Sequence, residues 1–363
     1  MSTKFHKSVI RSRKAFTYKD AQDVIDNKSV KDEVALSLRG LMKMAKKLKQ
    51  IRLEKGALQL ASTQVKFKFE EETHNPTDVT YYDLLDTNSM VEEFMLLANV
   101  SVASKTLEHF PGKSILRHHS TPKPQMIKEF SSLMTTLGYN LDYSSSRALA
   151  QSLDRIDRPQ DPFFNKLVRI MTTRCMNEAT YICTADFDYP EFYHYGLAAE
   201  VYTHFTSPIR RYADVLVHRL LAASIDLDSL PQSMCNKHNL TKICDNMNTR
   251  HRNARFASRA SSDYYSFLFF KDKELSESAI ISAIELNGIS VMLPKYGFEG
   301  FAEFSDEDRE ANALMTQQQA TKIVTDCIVN GNRYKIFDRV NVLLSMKLKH
   351  FRKQIIIKID ESK

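Results

Sequence analysis

The chain has 363 residues, of which 43% are hydrophobic, and a formal net charge of +7 at pH 7. This length allows two or three domains with their own cores, and the apolar fraction excludes a disordered chain. The basic excess is compatible with a polyanionic partner, although many proteins without one share it. No run of about 18 apolar residues is present and Met1 is not followed by an apolar segment, so we expect neither a membrane span nor secretion.

The five cysteines indicate neither a disulfide framework nor a zinc site. No two of them form a CxxC pair, and the spacing of Cys235, His238 and Cys244 matches no standard zinc motif. We therefore expect reduced cysteines that pack inside a nuclear or cytoplasmic protein.

The N-terminal segment predicts two helices and three strands. Residues 1–10 resemble a strand, and Thr17 is a candidate N-cap for a helix with Asp20 at its third position. A second helix follows, with an apolar face and a basic face at helical spacing. The apolar face has Leu38, Leu41, Ala45 and Leu48, and the basic face has Lys43, Lys46, Lys47 and Lys49. The alternation of segments Leu58–Leu60 and Val65–Phe69 is typical of strands.

The middle of the chain is predicted to be mainly helical, with helices at Asn88–Lys105, Asn165–Cys183, Tyr212–Ile225 and His238–Lys271. The first of these is apolar nearly all round, which is typical of a buried helix. Glu92 and Glu93 within it therefore require a partner or a functional role. Adjacent helical residues point about 100° apart, so one helix cannot aim both carboxylates at a single metal ion.

The composition changes after Lys273, where five short strands are predicted at Ala279–Ile284, Ser290–Leu293, Phe301–Phe304, Val340–Leu344 and Gln354–Ile359. They predict a small barrel of the OB type, with a generic β domain as the alternative. Tyr296 and Phe298 lie beside Lys295 where such barrels stack bases, and residues 306–308 are expected in a surface loop. We therefore expect an α+β protein, with a mainly helical unit over 1–272 and an OB-fold barrel over 273–363.

Segment 202–219 carries the strongest functional signal. Ser207 is a candidate N-cap, and the proline after it suits the first helical position. Arg210 and Arg211 then fall in the first turn, where the helix dipole disfavours basic residues. Free amides, dipole and two guanidinium groups together favour a bound phosphate. An ion pair from Arg210 to Asp214 is the alternative, but it leaves Arg211 unexplained.

Two further basic groups are weaker signals. Three arginines share one face of the last long helix, which suits a solvated surface or contact with a nucleic-acid backbone: Arg252, Arg255 and Arg259. A basic loop is predicted from Arg117, His118, His119 and Lys123. Neither group identifies a binding site by itself.

Segment 204–219 resembles the signature of the ribonuclease II and ribonuclease R (RNB) family of exoribonucleases. Within that family, the chain is most similar to the catalytic nuclease subunit of the eukaryotic RNA exosome. Further matches are Asn88–Asn99, Ser37–Gly40, Glu54–Ala57 and His194–Leu197. The resemblance covers nearly the whole chain, and it implies processive hydrolysis of single-stranded RNA from the 3′ end with release of nucleoside 5′-monophosphates.

The resemblance also implies roles for individual residues. Arg210 corresponds to the arginine that stabilises the scissile phosphate, which in comparable sites contributes about 3–4 kcal/mol. Tyr18 and Glu92 correspond to residues that line the pocket for the 3′-terminal nucleotides and sense the ribose 2′-hydroxyl. Further contacts with RNA are expected from Ser207, Arg211, Arg219, His204, Tyr296 and Phe298.

The chain departs from the family at the metal site. The family binds Mg²⁺ through a cluster of aspartates in the first half of its nuclease domain, and this sequence lacks that half. We therefore expect no metal ligands here and little or no nuclease activity from the chain alone. Leu60 also stands where bacterial relatives place a stacking phenylalanine. The alternative is a non-catalytic RNA-binding protein or a fragment of the enzyme, and exosome core subunits are the expected protein partners.

Overall fold

A mainly helical part and a β-barrel make up the fold, which the computed structural model describes over residues 3–62, 65–72, 74–81, 84–271, 273–318, 324–349 and 352–360. The helices are α1 (Tyr18–Asp26), α2 (Glu33–Glu54), α3 (Asp86–His109), α4 (Pro124–Thr136), α5 (Ser146–Arg155), α6 (Phe164–Cys175), α7 (Tyr212–Ser224), α8 (Gln232–Cys235), α9 (Lys237–Phe270) and α10 (Asp306–Gln318). The strands are β1 (Val65–Phe69), β2 (Pro76–Tyr81), β3 (Ile115–His118), β4 (Thr180–Cys183), β5 (Leu275–Glu285), β6 (Gly288–Leu293), β7 (Phe298–Glu303), β8 (Asp326–Val329), β9 (Asn332–Lys335), β10 (Arg339–Lys349) and β11 (Arg352–Ile359). The architecture is α+β, as predicted, and none of these helices combines the length and hydropathy needed to cross a bilayer.

The first two helices are fixed by hydrogen bonds at their ends. Thr17 caps α1 as predicted: its hydroxyl accepts from the Asp20 amide at 3.1 Å, and the Asp20 carboxylate accepts from the Thr17 amide in return. Arg39 of α2 donates to three carbonyl oxygens at the end of α1, at 2.7 to 3.1 Å. The cation complements the negative end of α1 and joins the two helices.

The packing of α2 on α3 corrects one predicted core position. Leu38 and Ala45 contribute to this contact as predicted, but Leu41 is exposed and Met42 takes its place. Met42 packs with Met90 of α3 in one small apolar cluster. The buried stripe of α2 therefore differs from the prediction at one position, where Met42 rather than Leu41 packs against α3.

Two predicted strands are absent from the described residues. Residues 3–10 have no regular structure, and Val9 and Ile10 are almost fully exposed because no strand lies beside them. Residues 58–60 also lack a ladder, and the Leu58 amide donates to the Gly196 carbonyl oxygen at 2.9 Å. The strand predicted at Val65–Phe69 is confirmed as β1, which pairs antiparallel with β2.

Strands β3 and β4 form an antiparallel pair inside the helical part, which overturns two predictions. Arg117 and His118 belong to β3 rather than to a loop. The helix predicted to reach Cys183 ends at Cys175, and β4 follows it. The strand β4 consists of Thr-Tyr-Ile-Cys, which favours a strand when β3 lies beside it. The pattern of residues along the chain does not show that β3 is its partner.

The C-terminal strands form an antiparallel sheet in the order β11-β10-β5-β6-β7. The sheet curls until its edges meet: Gly300 of β7 lies against Ile357 of β11, where a Cβ on residue 300 would clash with the isoleucine side chain. The barrel is therefore nearly closed and OB-like, as predicted. Residues 306–308 start α10 instead of lying in a loop, because the Ser305 hydroxyl accepts from the Asp308 amide at 3.1 Å and caps that helix.

The barrel and the helical part share a hydrophobic core. Phe164 of α6 meets Phe337 edge-on, with ring centroids 5.1 Å apart. Ile280 and Met292 of the barrel are buried in the same cluster. Two ion pairs at 2.7 Å also cross this boundary, Arg174–Glu299 and Arg339–Asp161. Packing and charge together hold the barrel in one position against α6.

Candidate nucleic-acid interface

Residues 202–206 lie extended across the helical part and are fixed on both sides. Toward α3, Asn99 donates to the Tyr202 hydroxyl at 3.0 Å and accepts from the Phe205 amide at 2.9 Å. Toward β3, the Arg117 amide donates to the Tyr202 carbonyl oxygen at 2.7 Å. Asn99 is only 2% exposed, so one buried amide side chain decides where the segment lies. Our sequence analysis missed this role, and an asparagine within an apolar helix was the available signal.

The helix α7 begins at Tyr212, as its predicted range has it, but the cap predicted at Ser207 is wrong. Ser207 is not its N-cap, because the Ser207 carbonyl oxygen accepts from the amides of Arg210 and Arg211 at 3.2 and 3.1 Å and closes a turn before the helix. Arg211 occupies the N-cap position instead, and Tyr212 is the first helical residue. The fully buried Asp214 stabilises this arrangement, since its carboxylate accepts from the Ser207 amide and from the Arg211 guanidinium, each at 2.7 Å.

The two arginines of this turn have different partners. Arg211 is held by two N–H···O bonds to Asp214, so the ion pair that we considered for Arg210 belongs to Arg211. Arg210 is exposed, and within the described ranges its side chain has no hydrogen bond or ion pair. The turn therefore exposes the guanidinium group of Arg210, whereas that of Arg211 is neutralised by Asp214. A free guanidinium group is suited to binding a phosphate.

A pocket of about 220 Å³ opens beside this turn, between α1, α3 and the extended segment. Its walls are formed by Tyr18, Asn88, Val91, Glu92, Met95, Leu96, Asn99, Tyr202 and Arg211. Three predicted site residues meet here: Tyr18 of α1, Glu92 of α3 and Arg211. Apolar side chains combined with hydroxyl, carboxylate and guanidinium groups suit a nucleotide, because the faces of a base are apolar and its sugar and phosphate need polar partners.

The two adjacent glutamates of α3 have different surroundings. Glu93 is the buried one, at 3% exposure, and it accepts from the Arg52 guanidinium at 2.5 and 3.2 Å. The Glu92 side chain is 60% exposed and lies 3.9 Å from Arg52. The prediction of a helix buried on nearly all sides was wrong at Glu92, because the buried face of α3 passes through Glu93. Glu92 is instead accessible to a ligand in the pocket.

Tyr18 owes its position to contacts between α1 and the start of α3. The Thr87 hydroxyl donates to the Tyr18 carbonyl oxygen at 2.8 Å, and the Thr87 amide donates to Gln22 Oε1 at 3.1 Å. Thr87 is buried, whereas the Tyr18 side chain remains largely exposed. The backbone is therefore fixed while the phenol ring is free to contact a ligand.

His204 and Arg219 flank the turn without lining the pocket. His204 Nδ1 bonds with the Tyr181 hydroxyl at 2.7 Å. Burial, followed by the nearby positive charges of Arg211 and Arg117, lowers the pKa of His204 to about 3. At neutral pH this imidazole therefore contributes hydrogen bonding and no charge. Arg219 lies exposed on α7.

The barrel turn that was predicted to stack bases does not present Tyr296. This residue is 4% exposed, and its hydroxyl donates to Glu277 Oε1 at 2.6 Å. Phe298 is partly buried and packs against Phe270, with ring centroids 5.8 Å apart. Lys295 is exposed but paired with the same Glu277 carboxylate at 2.5 Å. The prediction of a stacking surface was wrong for Tyr296, because the ring completes the barrel core.

The described residues do not fit a metal site. Among them, no three His, Cys, Asp or Glu side chains come close enough together to hold one ion. All five cysteines are free. The packing role predicted for them is confirmed for the four that are buried and is wrong for Cys235, which is exposed. We therefore derive no chemical step through a metal from these residues.

Comparison with known proteins places these features in context. The RNB domain profile matches residues 1–226, and an S1 domain profile matches residues 275–358. The exosome complex exonuclease RRP44 homolog A of Arabidopsis thaliana is 49% identical over 83% of this chain and 32% of its own length. The exosome complex exonuclease RRP44 of Homo sapiens is 43% identical over 98% of this chain and 37% of its own length. The chain thus spans about a third of these relatives.

Solved structures share the fold at lower identity. RNase R of Mycoplasma genitalium, in complex with ribose methylated single-stranded RNA, has a TM-score of 0.76 at 24% identity, over 95% of this chain and 53% of that one. Yeast Ssd1, a pseudonuclease, has a TM-score of 0.67 at 16% identity, over 95% and 53%. At such identities the likeness shows the fold alone.

Proposed function

This chain belongs to the RNB domain family, and on that premise we propose that it forms part of a 3′→5′ exoribonuclease, which hydrolyses single-stranded RNA to nucleoside 5′-monophosphates within the RNA exosome. One observation carries the proposal. Tyr18, Glu92 and Arg211 line a single pocket, and the unpaired Arg210 lies on the turn beside it. These residues come from α1, α3 and the start of α7, so only the folded chain assembles them.

Each side chain of this site has a role in the proposal. Arg210 stabilises the negative charge on the phosphate at the scissile bond, for which an exposed guanidinium without an intramolecular partner is suited. Arg211 and Asp214 position the turn that carries Arg210. Tyr18 and Glu92 hold the 3′-terminal nucleotide. A carboxylate accepts a hydrogen bond from a ribose 2′-hydroxyl, which DNA lacks.

The part of the reaction that we assign to this chain depends on the lack of a metal-ligand cluster among the described residues. The family is expected to use Mg²⁺ for hydrolysis, and the described residues offer no ligand cluster for it. We therefore assign to this chain the binding of the strand and the stabilisation of its phosphate. Its expected partners are single-stranded RNA and exosome core subunits, in the nucleus, the cytoplasm or both.

Preference for RNA over DNA tests the pocket. The purified chain should bind a fluorescent single-stranded RNA more tightly than DNA of the same sequence, with an affinity that falls steeply with salt. Glu92→Gln should reduce that preference about 3- to 10-fold, since it replaces a charged acceptor by a neutral one. The control is Glu108→Gln, an exposed glutamate of the same helix. Equal affinities for RNA and DNA in the wild-type chain would contradict the proposed pocket.

A non-catalytic RNA-binding protein is the second candidate, and the lack of a ligand cluster among the described residues favours it for the chain by itself. It predicts salt-dependent binding of RNA without turnover. We expect no release of mononucleotides when the chain is incubated with Mg²⁺ and single-stranded RNA. Robust release of nucleoside 5′-monophosphates would exclude this candidate and show a complete active site.

A further inference from the structure

Arg117 of β3 is a buried cation without an acidic partner. The residue is 6% exposed, and its side chain forms no ion pair within the described ranges. Its Nη1 is completely buried and has no hydrogen-bond acceptor among those residues. The guanidinium carbon lies 4.3 Å from the centre of the Tyr181 ring, and both Tyr181 and Tyr202 favour its charged form.

The surroundings of Arg117 are cationic rather than acidic. Burial lowers its pKa; Tyr181 and Tyr202 offset part of this effect, and the charges of Arg211 and Arg255 lower the pKa further. The carboxylates of this neighbourhood are already engaged, because Asp214 is bound to Arg211 and Glu178 is bound to Arg255 at 2.6 Å. No carboxylate of the described residues is left to neutralise Arg117.

Two other partly buried arginines have a carboxylate partner, Arg52 with Glu93 and Arg169 with Asp154 at 2.6 Å. Among the described residues Arg158 has only the Phe164 ring, 4.4 Å from its guanidinium carbon, but it is less buried than Arg117. Contact with an aromatic ring stabilises a cation by about 0.5–2 kcal/mol, whereas removing an ion from water costs several kcal/mol. Tyr181 therefore offsets only part of the cost of burying Arg117. The fold has placed a guanidinium group where an anion from outside the chain is needed.

The position of Arg117 identifies the anion. Its amide bonds to Tyr202, whose side chain lines the nucleotide pocket. His204 bonds with the hydroxyl of Tyr181, whose ring contacts Arg117, at 2.7 Å. After burial and Arg211, the charges of Arg117 and Arg210 also contribute to the low pKa of His204, so both unpaired guanidinium groups lie near this neutral imidazole. A single carboxylate would satisfy one of them. A strand with a phosphate at every residue satisfies both, and the planar fork of arginine matches a phosphate.

We propose that Arg117 binds a second phosphate of the RNA strand, adjacent to the phosphate held by Arg210. This inference rests on the proposed function, because it requires that RNA enter the same pocket. It adds a binding residue that the sequence analysis placed in a loop without a definite role. Arg210 then stabilises the scissile phosphate, and Arg117 binds the adjacent phosphate and so keeps the RNA strand in position.

Affinity for single-stranded RNA tests the proposal. Arg117→Met should bind a labelled oligonucleotide about 10- to 100-fold more weakly, since a bond to a charged group is lost. The slope of log affinity against log salt should become shallower by about 0.7, because one phosphate is no longer neutralised. Arg117→Lys should keep most of the slope while losing affinity, since a lysine keeps the charge without the fork. The control is Arg309→Gln, which removes an exposed charge from α10.

Unfolding by urea separates this role from a structural one. If Arg117 awaits a ligand, Arg117→Met should be as stable as the wild-type chain or more so, because an unpaired buried cation has been replaced by an apolar side chain. Lower stability combined with unchanged affinity and slope would overturn the proposal and make the contact with Tyr181 structural. Unchanged affinity with equal or higher stability would also overturn it and favour a protein carboxylate as the missing partner. If the wild-type chain bound no RNA, the proposed function would fail together with this inference.

Discussion

The turn before α7 and the barrel turn at residues 295–298 both carry basic residues, and both were predicted to contact RNA. In the first turn, Asp214 fixes the backbone while Arg210 remains without a partner. In the second, Glu277 pairs with Lys295 and accepts from Tyr296, which is buried. Both turns are basic, but a positive charge remains uncompensated in the first and is neutralised by Glu277 in the second. A binding surface is therefore recognised by the groups that the fold leaves unpaired, rather than by residue types.

The largest effect is expected from removing the buried carboxylate of Asp214, which fixes the turn before α7. Asp214→Ala leaves the Arg211 guanidinium without a partner and frees the Ser207 amide. Breaking a buried ion pair in this way costs about 3–5 kcal/mol of unfolding free energy. Urea titration followed by circular dichroism would measure the loss. Asp245→Ala, at an exposed position of α9, should change stability by less than about 0.5 kcal/mol. Equal effects of the two variants would contradict the fixed turn.

Mild acid should weaken the helical part before the barrel. The pKa values of His194 and His204 are about 3 in the fold because burial disfavours their charged forms, against an ordinary value of 6.5. Between pH 6.5 and 3 the unfolded chain therefore binds more protons than the folded chain, so stability falls as the pH decreases through this window. The slope is about 1.4 kcal/mol per pH unit for each histidine.

Hydrogen exchange at pH 7 and pH 5.5 would locate this loss. Faster exchange is expected around residues 194–205, with less change in the barrel, whose described residues contain no histidine. A His204→Gln variant should show a shallower dependence of stability on pH. Uniform loss of protection across the chain at pH 5.5 would contradict a separate acid response of the helical part.

The charges of the two turns can be compared directly. Arg210→Gln should lower the affinity for single-stranded RNA about 10-fold without a change in stability, because the side chain has no partner among the described residues. Lys295→Gln removes the same charge from the barrel turn and should lower affinity by less than about 2-fold, because Glu277 already compensates it. Binding measured at several salt concentrations would test both. A larger effect of the Lys295 variant would reverse the contrast.

The smallest effect on affinity for RNA is expected from removing the Tyr296 hydroxyl in the barrel core. Tyr296→Phe removes a hydrogen bond to Glu277 and should cost about 1–2 kcal/mol of stability. Affinity for RNA should not change, because the ring is buried in the barrel and not available to a base. Thermal unfolding and fluorescence anisotropy would measure the two quantities. A loss of affinity without a loss of stability would restore the stacking role predicted for this residue.

The elements that could be predicted from the sequence are those determined by residues close together along the chain. The capping box at Thr17, the long helix α9 and the barrel strands follow from caps and periodicity within one segment. Predictions failed where side-chain hydrogen bonds or a distant strand decide the structure. The cap predicted at Ser207 is wrong because Asp214 fixes a turn there, and the strand β4 depends on β3. Neither dependence is visible in a hydrophobic pattern.

The candidate site shows the same limit. Its residue types were visible in the sequence, and the family resemblance brought Tyr18, Glu92 and Arg210 together. Which glutamate is buried and which arginine is paired could not be predicted, since both depend on packing angles between helices. Arg117 had no distinct signal, because a buried cation and a loop cation look alike until the absence of a partner is seen.

The shared core around Phe164 and Phe337 makes the barrel poorly transferable. A sequence boundary near residue 273 separates two recognisable modules, yet Ile280 and Met292 are buried only when α6 is beside them. A protein engineer who grafted this barrel onto another enzyme would expose those side chains unless α6 came with it or the host offered a matching face. The smallest unit that can be transferred is therefore the barrel together with α6, which is larger than the barrel that the sequence boundary defines.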